Sequence, residues 1–200
     1  MNDWARDAIF YHIYPLGMCG APHRNSFQGP PEPRMAGIRE WIGHLRALGV
    51  NALYLGPLFE STAHGYDTAD YYHVDRRLGD NRLLTDLVAE CHHAGIRVIL
   101  DGVFHHVGRD FWAFRDVLTH GRHSLYCSWF KGLDFNRRSP HGDPFSYEGW
   151  NGHYDLVIHN VENPEQKSAG FREVLRRERI DGALILSMPL TEEDETIINQ

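Results

Sequence analysis

A carboxylate and two imidazoles lie in one apolar stretch of the sequence, RVILDGVFHH from Arg97 to His106. β-Branched and apolar residues lead to Asp101, and the stretch ends on His105 and His106. An apolar run without alternation is typical of a strand buried on both faces, as in parallel sheets covered by helices. Because such proteins carry their chemistry at the C-terminal ends of the strands, Asp101 and the two histidines are the first candidate functional residues.

Metal binding is one chemistry that imidazoles perform. His105 and His106, together with His64 from an earlier polar stretch, have the ligand type of a zinc site. Adjacent residues of a strand point to opposite faces, however, so that His105 and His106 are predicted to point apart. One metal could not then bind both, and no metal ligand is predicted. The other histidines stand in polar contexts and are predicted to be solvated (His92, His93, His120, His123, His141).

Alternating strands and helices must position these groups. The alternation is read from strand composition and helical spacing of apolar residues: strands at 8–15, 51–57 and 97–104, helices at 37–48 and 81–94. Residues 16–34 and 58–79 are predicted to be loops, and the second contains HGYDTADYYHVD. Strand–helix–strand repetition forms right-handed βαβ units, so the chain is predicted to be an α/β protein with a parallel sheet.

The alternation stops after the third strand. Residues 107–160 are rich in aromatics and glycines and contain no predicted helix longer than a few turns. So long a segment is predicted to be a functional excursion rather than a connector. Its aromatic residues are predicted to form the core of a small inserted domain rather than a sugar platform (Phe111, Trp112, Phe114, Trp129, Phe130). A short charged helix at 171–179, a fourth strand at 182–187 and an acidic tail follow.

Length and composition restrict the class of protein. A chain of 200 residues suits one domain. A net charge of −7 without a basic cluster argues against a nucleic acid as partner. No apolar run reaches membrane-spanning length and the N-terminus lacks a signal sequence, so no membrane partner is predicted. Three cysteines without metal-ligand spacing predict reduced thiols and a cytoplasmic protein.

Several motifs, in the right order, resemble one family. They are FYHIYPLGMCGAP, NALYLGPLFESTAHGYDTADYYHVDRRLG, RVILDGVFHHVGRDFWAF and YEGWNGHYDLV, spanning residues 4–164. The chain resembles the N-terminal half of the catalytic domain of the α-amylase family of glycoside hydrolases, of the cyclomaltodextrinase and maltogenic amylase type. The resemblance implies an α/β fold, a partial (β/α)8 TIM barrel of about four βα units with a small domain inserted after the third strand. The implied parts are the first half of the barrel (1–106), the inserted aromatic-rich subdomain (107–160) and the short helix, fourth strand and tail (161–200).

The same resemblance implies a site for an α-glucan or maltooligosaccharide. Tyr66 would stack on a glucose ring, and His64 would hydrogen-bond sugar hydroxyls. Asp101 matches a structural aspartate on the substrate side, and His106 matches a substrate-binding histidine. Sugar rings offer an apolar face to aromatics and hydroxyls to imidazoles and carboxylates. These four are the predicted substrate-binding residues; the alternative for His64 and Tyr66 is a loop whose aromatics merely pack.

The fourth-strand motif departs from the family's pattern. Retaining hydrolysis needs a carboxylate nucleophile and a second carboxyl group about 5 Å apart, and the family supplies the nucleophile from D-G-x-R-x-D. Here Leu184 stands in place of the arginine and Leu186 in place of the nucleophile. Asp181 opens the strand and, at ~3.3 Å per residue, lies roughly 16 Å from the catalytic face. The remaining carboxylates would come from later strands, so no catalytic residue is predicted.

A second departure concerns calcium. His105 stands where the family's strand-three motif usually has an asparagine that can ligate calcium. Calcium takes oxygen donors, and imidazole is a poor ligand for it. No cofactor is therefore predicted.

Four functional hypotheses remain open. The chain is a truncated, catalytically incompetent relative of α-glucan hydrolases in starch and maltodextrin metabolism, or a non-catalytic carbohydrate-binding half-barrel. Alternatively, it is a half-barrel that assembles as a homodimer or with a complementary C-terminal half, because open strand edges expose unpaired backbone and apolar surface. The last is a gene fragment that folds poorly.

Overall fold

Short strands and helices alternate along the chain. The computed structural model describes residues 4–150, 155–158 and 182–185. Its strands are β1 (Phe10–Ile13), β2 (Ala52–Leu55), β3 (Phe59–Ser61), β4 (Thr68–Val74), β5 (Arg97–Gly102), β6 (His106–Val107), β7 (Leu156–Val157) and β8 (Gly182–Ile185). Its α-helices are α1 (Pro15–Met18), α2 (Ile42–Ala47), α3 (Asn81–His93) and α4 (Trp112–His120). Turns of 3-10 helix cover Trp4–Asp7, Arg34–Trp41, Gly121–His123 and Cys127–Trp129.

A four-stranded sheet lies at the centre of the fold. Its strands follow the order β1, β2, β5 and β8, and each neighbouring pair is parallel. The predicted parallel sheet is therefore confirmed. Strand β5 is the predicted third strand and is buried beyond its first residue. Strand β8 lies within the predicted fourth strand, and its pairing with β5 makes Leu184 the register partner of Asp101.

The two faces of the sheet differ because successive residues of a strand point to opposite sides. One face packs into the main hydrophobic cluster (Ile13, Leu53, Leu55, Val98, Leu100). The other face carries His12 and Tyr54, which are register partners on β1 and β2, together with Asp101 near the end of β5. The sheet thus presents an apolar face to the helices and a polar face to the candidate site.

Helix α3 covers the apolar face with one side. Asp80 begins the helix because its side chain accepts a hydrogen bond from the backbone N–H of Leu83 at 2.8 Å. The residues of the inner side are buried (Leu84, Leu87, Val88, Cys91). Gly95 follows the helix with a φ of 77°, a left-handed conformation that favours glycine and ends the helix. The predicted helix at 81–94 is confirmed, with its last turn ending at His93.

The prediction of a loop at 58–79 is wrong. These residues form an antiparallel hairpin of β3 and β4, with register shifts between Phe59 and Ser61. The shifts remove the regular alternation by which a strand is recognised in a sequence. The connection between the two strands, residues 62–67, is the hairpin loop, and it holds His64 and Tyr66. A shorter deviation is helix α1, which lies at the start of the predicted loop at 16–34.

Residues beyond β5 pack around a second hydrophobic cluster, which includes residues from Val107 to Leu156. Phe111, Phe114 and Phe130 are buried in it, as predicted for an aromatic core. Trp112 packs at its margin, whereas Trp129 departs from the prediction because it is 41% exposed. Helix α4 is nine residues long, in agreement with the absence of a predicted long helix there.

Some expectations fall outside the described residues, namely the helix at 171–179, the acidic tail and position 186. In the part of the chain that the structure describes, no helix combines the length and the apolar character needed to span a membrane. The three cysteines are free thiols (Cys19, Cys91, Cys127).

Candidate functional site

Asp101 lies next to the last residue of β5 and is 2% exposed. Its Oδ2 accepts a hydrogen bond from the hydroxyl of Tyr66 at 3.3 Å. The side chain of Tyr54, on the neighbouring strand β2, lies near this carboxylate. Within the described residues, Oδ1 is buried and has no hydrogen-bond partner. Asp101 therefore has one buried acceptor oxygen whose hydrogen-bonding capacity the described residues do not use.

The hairpin loop carries Tyr66 to this carboxylate. Oδ1 of Asp67 accepts hydrogen bonds from the backbone N–H groups of His64 and Gly65, each at 3.1 Å. Gly65 has a φ of 91°, and a Cβ there would lie 2.8 Å from Cβ of Pro57. The loop consequently needs glycine at 65 to lie this close to the end of β2.

His105 and His106 lie side by side, so the prediction that they point to opposite faces is wrong. Nε2 of His105 is 2.9 Å from Nδ1 of His106. Strand β5 ends at Gly102 and β6 begins at His106, which places His105 in the bend between strands, where side chains do not alternate. The indole of Trp150 stacks on the His106 ring, at 5.5 Å and an interplanar angle of 6°. It meets the His105 ring edge-on, with centroids 4.0 Å apart.

Burial controls the charge of these groups. Burial, reinforced by the neighbouring His105, lowers the pKa of His106 to about 4, so this imidazole is neutral at pH 7. Burial also raises the pKa of Asp101, while the neighbouring hydroxyls of Tyr54 and Tyr66 act in the opposite direction. A neutral imidazole can both donate and accept a hydrogen bond. This property suits a ligand whose polar groups are hydroxyls.

The structure brings the four predicted substrate-binding residues to one edge of the sheet. Tyr66 contacts Asp101 through its hydroxyl, and its backbone lies near the side chain of His106. The ring of His64 lies 6.2 Å from that of Tyr66, centroid to centroid. Their common location agrees with a shared site, and their roles toward a sugar stay predictions.

Three side chains that the sequence did not single out complete the site. The hydroxyl of Tyr14 donates to the carbonyl of His64 at 2.9 Å, the side chain of Tyr54 lies near Asp101, and Trp150 stacks on His106. Tyr14 and Tyr54 lie toward the ends of the first two predicted strands, and that position was the available signal. Trp150 reaches the site through folding of a distant segment, for which the local sequence offers no signal.

The arrangement combines aromatic surface with buried polar groups. Tyr66 is 38% exposed and can present its ring to a ligand while its hydroxyl remains on Asp101. The side chain of His64 is 55% exposed. Its Nδ1 accepts a hydrogen bond from the backbone N–H of Tyr66 at 3.3 Å, and the exposed part of the ring can meet polar groups of a bound molecule. Such a set matches a polyhydroxylated ring compound with one apolar face.

Fold and site together define an α/β protein with a parallel sheet of the barrel type and a polar, aromatic site at the strand ends. A family model described as "Alpha amylase, catalytic domain" matches residues 27–165. The chain belongs to this α-amylase family, and the resemblance seen in its motifs is confirmed.

Curated relatives and solved structures agree. A cyclomaltodextrinase from a Bacillus species is 43% identical over 182 residues, or 82% of this chain and 32% of the relative. The intracellular maltogenic amylase of Bacillus subtilis strain 168 is 31% identical over 180 residues, or 82% of this chain and 29% of that protein. The structure of the cyclic α-maltosyl-(1→6)-maltose hydrolase from Arthrobacter globiformis, in complex with cyclic α-maltosyl-(1→6)-maltose, has a TM-score of 0.79 and 33% identity. The match covers 98% of this chain and 49% of the hydrolase. The chain spans about a third of the length of the curated relatives it matches.

Proposed function

We propose that this chain forms one side of an α-glucan-binding cleft, in which Tyr66 stacks on a glucose ring and His64, Asp101 and His106 bind its hydroxyls. The observation that carries the proposal is the junction between the hairpin loop and β5. There the Tyr66 hydroxyl lies 3.3 Å from the Asp101 carboxylate, beside a buried neutral His106. Similarity to a cyclomaltodextrinase and a maltogenic amylase supports maltooligosaccharides as the ligand class.

Calorimetric titration of the chain with maltotriose and with β-cyclodextrin tests this proposal. Tyr66→Ala removes the stacking ring and should weaken binding by up to about tenfold, because such ring contacts contribute ~1 kcal/mol. Tyr72→Ala is the matched control, since Tyr72 is 59% exposed and lies on β4 outside the site. Absence of binding heat at millimolar sugar, or equal affinities of the two variants, would overturn the proposal.

We do not propose that the 200 residues hydrolyse maltodextrin on their own. Position 186, which aligns with the family's nucleophile, is leucine, and a retaining mechanism needs two carboxyl groups about 5 Å apart. The purified chain should therefore release no reducing sugar from maltodextrin. Measurable release that disappears in Asp101→Asn would show that this view is mistaken.

A second candidate function is assembly with another chain. Among the described strands of the central sheet, β1 has one neighbour, β2. Ile9 and Phe10 at this edge are 54% and 53% exposed. We propose that a second copy or a complementary C-terminal half covers this edge. Light scattering should then give a mass above that of the 23.1 kDa chain, and Phe10→Glu should reduce it; a monomeric mass throughout the micromolar range contradicts the proposal.

The finer architecture is also a proposal. We propose a partial (β/α)8 barrel of about four βα units, with parts at 1–106, 107–160 and 161–200. Its support is the four-stranded parallel sheet and the existence of two separate hydrophobic clusters. Limited proteolysis should cleave first near residue 160, because the boundary at residue 106 lies in the buried strand β6.

The last two parts of the proposal concern a requirement for calcium and the location of the protein in the cell. The imidazole of His105 hydrogen-bonds His106 and packs on Trp150, which does not suit a cation that prefers oxygen ligands. No group of three His, Cys, Asp or Glu side chains in the described residues could hold a metal ion. We propose that the chain needs no calcium, so that chelation leaves its melting temperature unchanged. The relative from Bacillus subtilis is an intracellular maltogenic amylase, which supports a cytoplasmic location for this chain. Cell fractionation tests it.

A further inference from the structure

Tyr71 on β4 packs against both hydrophobic clusters, the main one and the one formed by residues beyond β5. Its ring meets Phe59 of β3 edge-on, with centroids 6.0 Å apart, and Phe111 of the second cluster in the same way, with centroids 5.9 Å apart. The ring of Phe104 lies against it at 5.3 Å with an interplanar angle of 47°. Because aromatic pairs favour particular ring orientations, these contacts fix the direction in which the Tyr71 hydroxyl points.

That hydroxyl lies at the bend between β5 and β6, residues 103–105. It donates to the backbone carbonyl of Val103, directly after β5, and to the carbonyl of His106 at 3.3 Å, the first residue of β6. Carbonyl oxygens only accept hydrogen bonds, so the two ends of the bend share one donor. Val103 and His106 are buried, at 7% and 5% exposure, and buried carbonyl groups need a partner. The Tyr71 hydroxyl therefore ties the end of β5 to the start of β6.

The shape of the bend decides how the two adjacent histidines face each other. Within a strand they would point to opposite faces, whereas here Nε2 of His105 lies 2.9 Å from Nδ1 of His106. The carbonyl of His105 accepts from the backbone N–H of Ile158 at 3.2 Å. Ile158 thus holds the backbone at position 105, and Tyr71 holds it at positions 103 and 106. The contact between the imidazoles consequently depends on the Tyr71 hydroxyl.

The same hydroxyl joins two segments that supply the candidate site. Strand β4 begins directly after the hairpin loop, so Tyr71 belongs to the hairpin whose loop carries Tyr66. Gly108, which follows β6, adds a second connection, because its N–H donates to the carbonyl of Thr68 on β4 at 2.9 Å. A displacement of either segment would therefore change the position of Tyr66 relative to His106.

We propose that Tyr71 is a positioning residue of the candidate site: its hydroxyl holds the bend closed and keeps the imidazoles of His105 and His106 side by side. The inference rests on the proposed α-glucan site, in which the His106 imidazole binds sugar hydroxyls. Tyr71 does not touch the sugar in this arrangement, because its hydroxyl is bonded to the backbone of the bend. It acts through the backbone that carries the two histidines.

The positioning role is tested without sugar, by imidazole nitrogen NMR of the chain with isotope-labelled histidine. Tyr71→Phe keeps the ring contacts and removes the donor. The signals of His105 and His106, assigned with His105→Gln and His106→Gln, should then move toward those of a histidine that exchanges between tautomers, because the bond between the two rings selects one tautomer. Tyr72→Phe, at the exposed next position of β4, should leave the signals unchanged. Unchanged signals in Tyr71→Phe overturn the inference.

A loss of stability alone should not produce this change. Val88→Ala removes buried methyl groups from α3, where Val88 is 2% exposed and packs in the main hydrophobic cluster. It should lower the melting temperature and leave the signals of His105 and His106 in place. If Val88→Ala moved these signals as Tyr71→Phe does, they would follow stability rather than the bend, and the inference would be overturned.

Calorimetry with maltotriose tests the consequence for the site. Tyr71→Phe should weaken binding about fivefold, the ratio that corresponds to the net contribution of one hydrogen bond. In the His106→Ala background the same substitution should have little further effect, since Tyr71 is proposed to act through the backbone of His106. Equal losses in the two backgrounds contradict the inference.

Two outcomes separate this inference from the proposed function. If the wild type binds no glucan, the proposed function fails, and the imidazole signals alone decide whether Tyr71 positions the histidines. If Tyr71→Phe does not fold, the hydroxyl proton of Tyr71 in the wild type decides. It should exchange slowly with water and show a nuclear Overhauser effect to the backbone of the bend; fast exchange without such an effect overturns the inference.

Discussion

The guanidinium of Arg77 and the carboxylate of Asp75 form an ion pair, with Nη2 2.6 Å from Oδ2 and side chains that are 5% and 0% exposed. Nη1 of Arg77 also donates to the carbonyl groups of Pro22 and Ala63 at 3.0 and 2.8 Å. Asp75 accepts from the backbone N–H and the hydroxyl of Ser61. The pair therefore connects the hairpin to the segment after α1 and sets the base of the loop that carries Tyr66.

Asp75→Ala should lower the free energy of unfolding by about 3–5 kcal/mol, because it leaves the Arg77 charge buried without its partner. Glu90→Ala is the matched control. It breaks the ion pair with Arg39, 2.8 Å long and with both side chains over 30% exposed, and should cost about 1 kcal/mol or less. Urea denaturation measures both, and equal losses would contradict the structural role of Asp75.

His106 should make stability depend on pH. Its pKa is about 4 in the fold because it is buried beside His105, whereas an unfolded chain protonates histidine near 6.5. As pH falls from about 6.5 to 4, the unfolded state takes up a proton that the folded state does not, so the fold loses stability. The loss between pH 6.5 and 5 should be on the order of 2 kcal/mol.

His106→Asn should remove this part of the pH dependence, as measured by urea denaturation at a series of pH values. His123→Asn, at an exposed position, should retain the wild-type dependence. A His106→Asn profile parallel to that of the wild type would show that the imidazole is not buried in its neutral form.

Some elements of the fold can be predicted from the sequence and others cannot. Helix α3 and strand β5 could be predicted because each satisfies local rules, apolar spacing with a capping residue in one and an unbroken apolar run in the other. The hairpin of β3 and β4 could not, since its bulged pairing has no regular period. The sequence therefore predicted the strand that carries Asp101, but it did not predict the hairpin that carries Tyr66.

The candidate site shows the same division. The resemblance selected His64, Tyr66, Asp101 and His106 by motif, and the structure places them together. The contact of His105 with His106 depends on where β5 ends. The strand ends at Gly102, two residues before the predicted end, and side chains alternate between the two faces only within a strand. The stacking of Trp150 on His106 depends on tertiary packing, which no local pattern records.

A second pH effect should come from Asp143 at strongly acidic pH. Arg109 donates to both carboxylate oxygens, at 2.7 and 2.6 Å, and these hydrogen bonds lower the pKa of Asp143 to about 2. Because the unfolded carboxyl group protonates near 3.9, the stabilisation is complete above that pH and is lost as pH falls toward 2. Asp143→Asn should flatten the acid unfolding curve in this window, monitored by circular dichroism, whereas exposed Asp86→Asn should not. An unaltered curve for Asp143→Asn would contradict the bidentate pair.

Gly108 packs directly against the backbone of the hairpin loop. A Cβ at this position would lie 2.5 Å from the carbonyl oxygen of Asp67, while the Gly108 N–H donates to the carbonyl of Thr68 at 2.9 Å. Gly108→Ala should force the loop away from the sheet, lower the free energy of unfolding by about 1–3 kcal/mol and weaken glucan binding with it.

Gly43→Ala is the control, because it should stabilise the fold where Gly108→Ala destabilises it. Gly43 lies in α2, and a Cβ there meets nothing within 4 Å. Alanine should raise the free energy of unfolding by roughly 0.5–1 kcal/mol, because glycine is the poorer helix former. Urea denaturation and calorimetry with maltotriose compare the two variants. If Gly108→Ala were as stable as the wild type and bound sugar equally well, the hairpin loop would not depend on close packing at this glycine. The conformation of the loop around Tyr66 would then depend on the contacts of Asp67 and Arg77 alone.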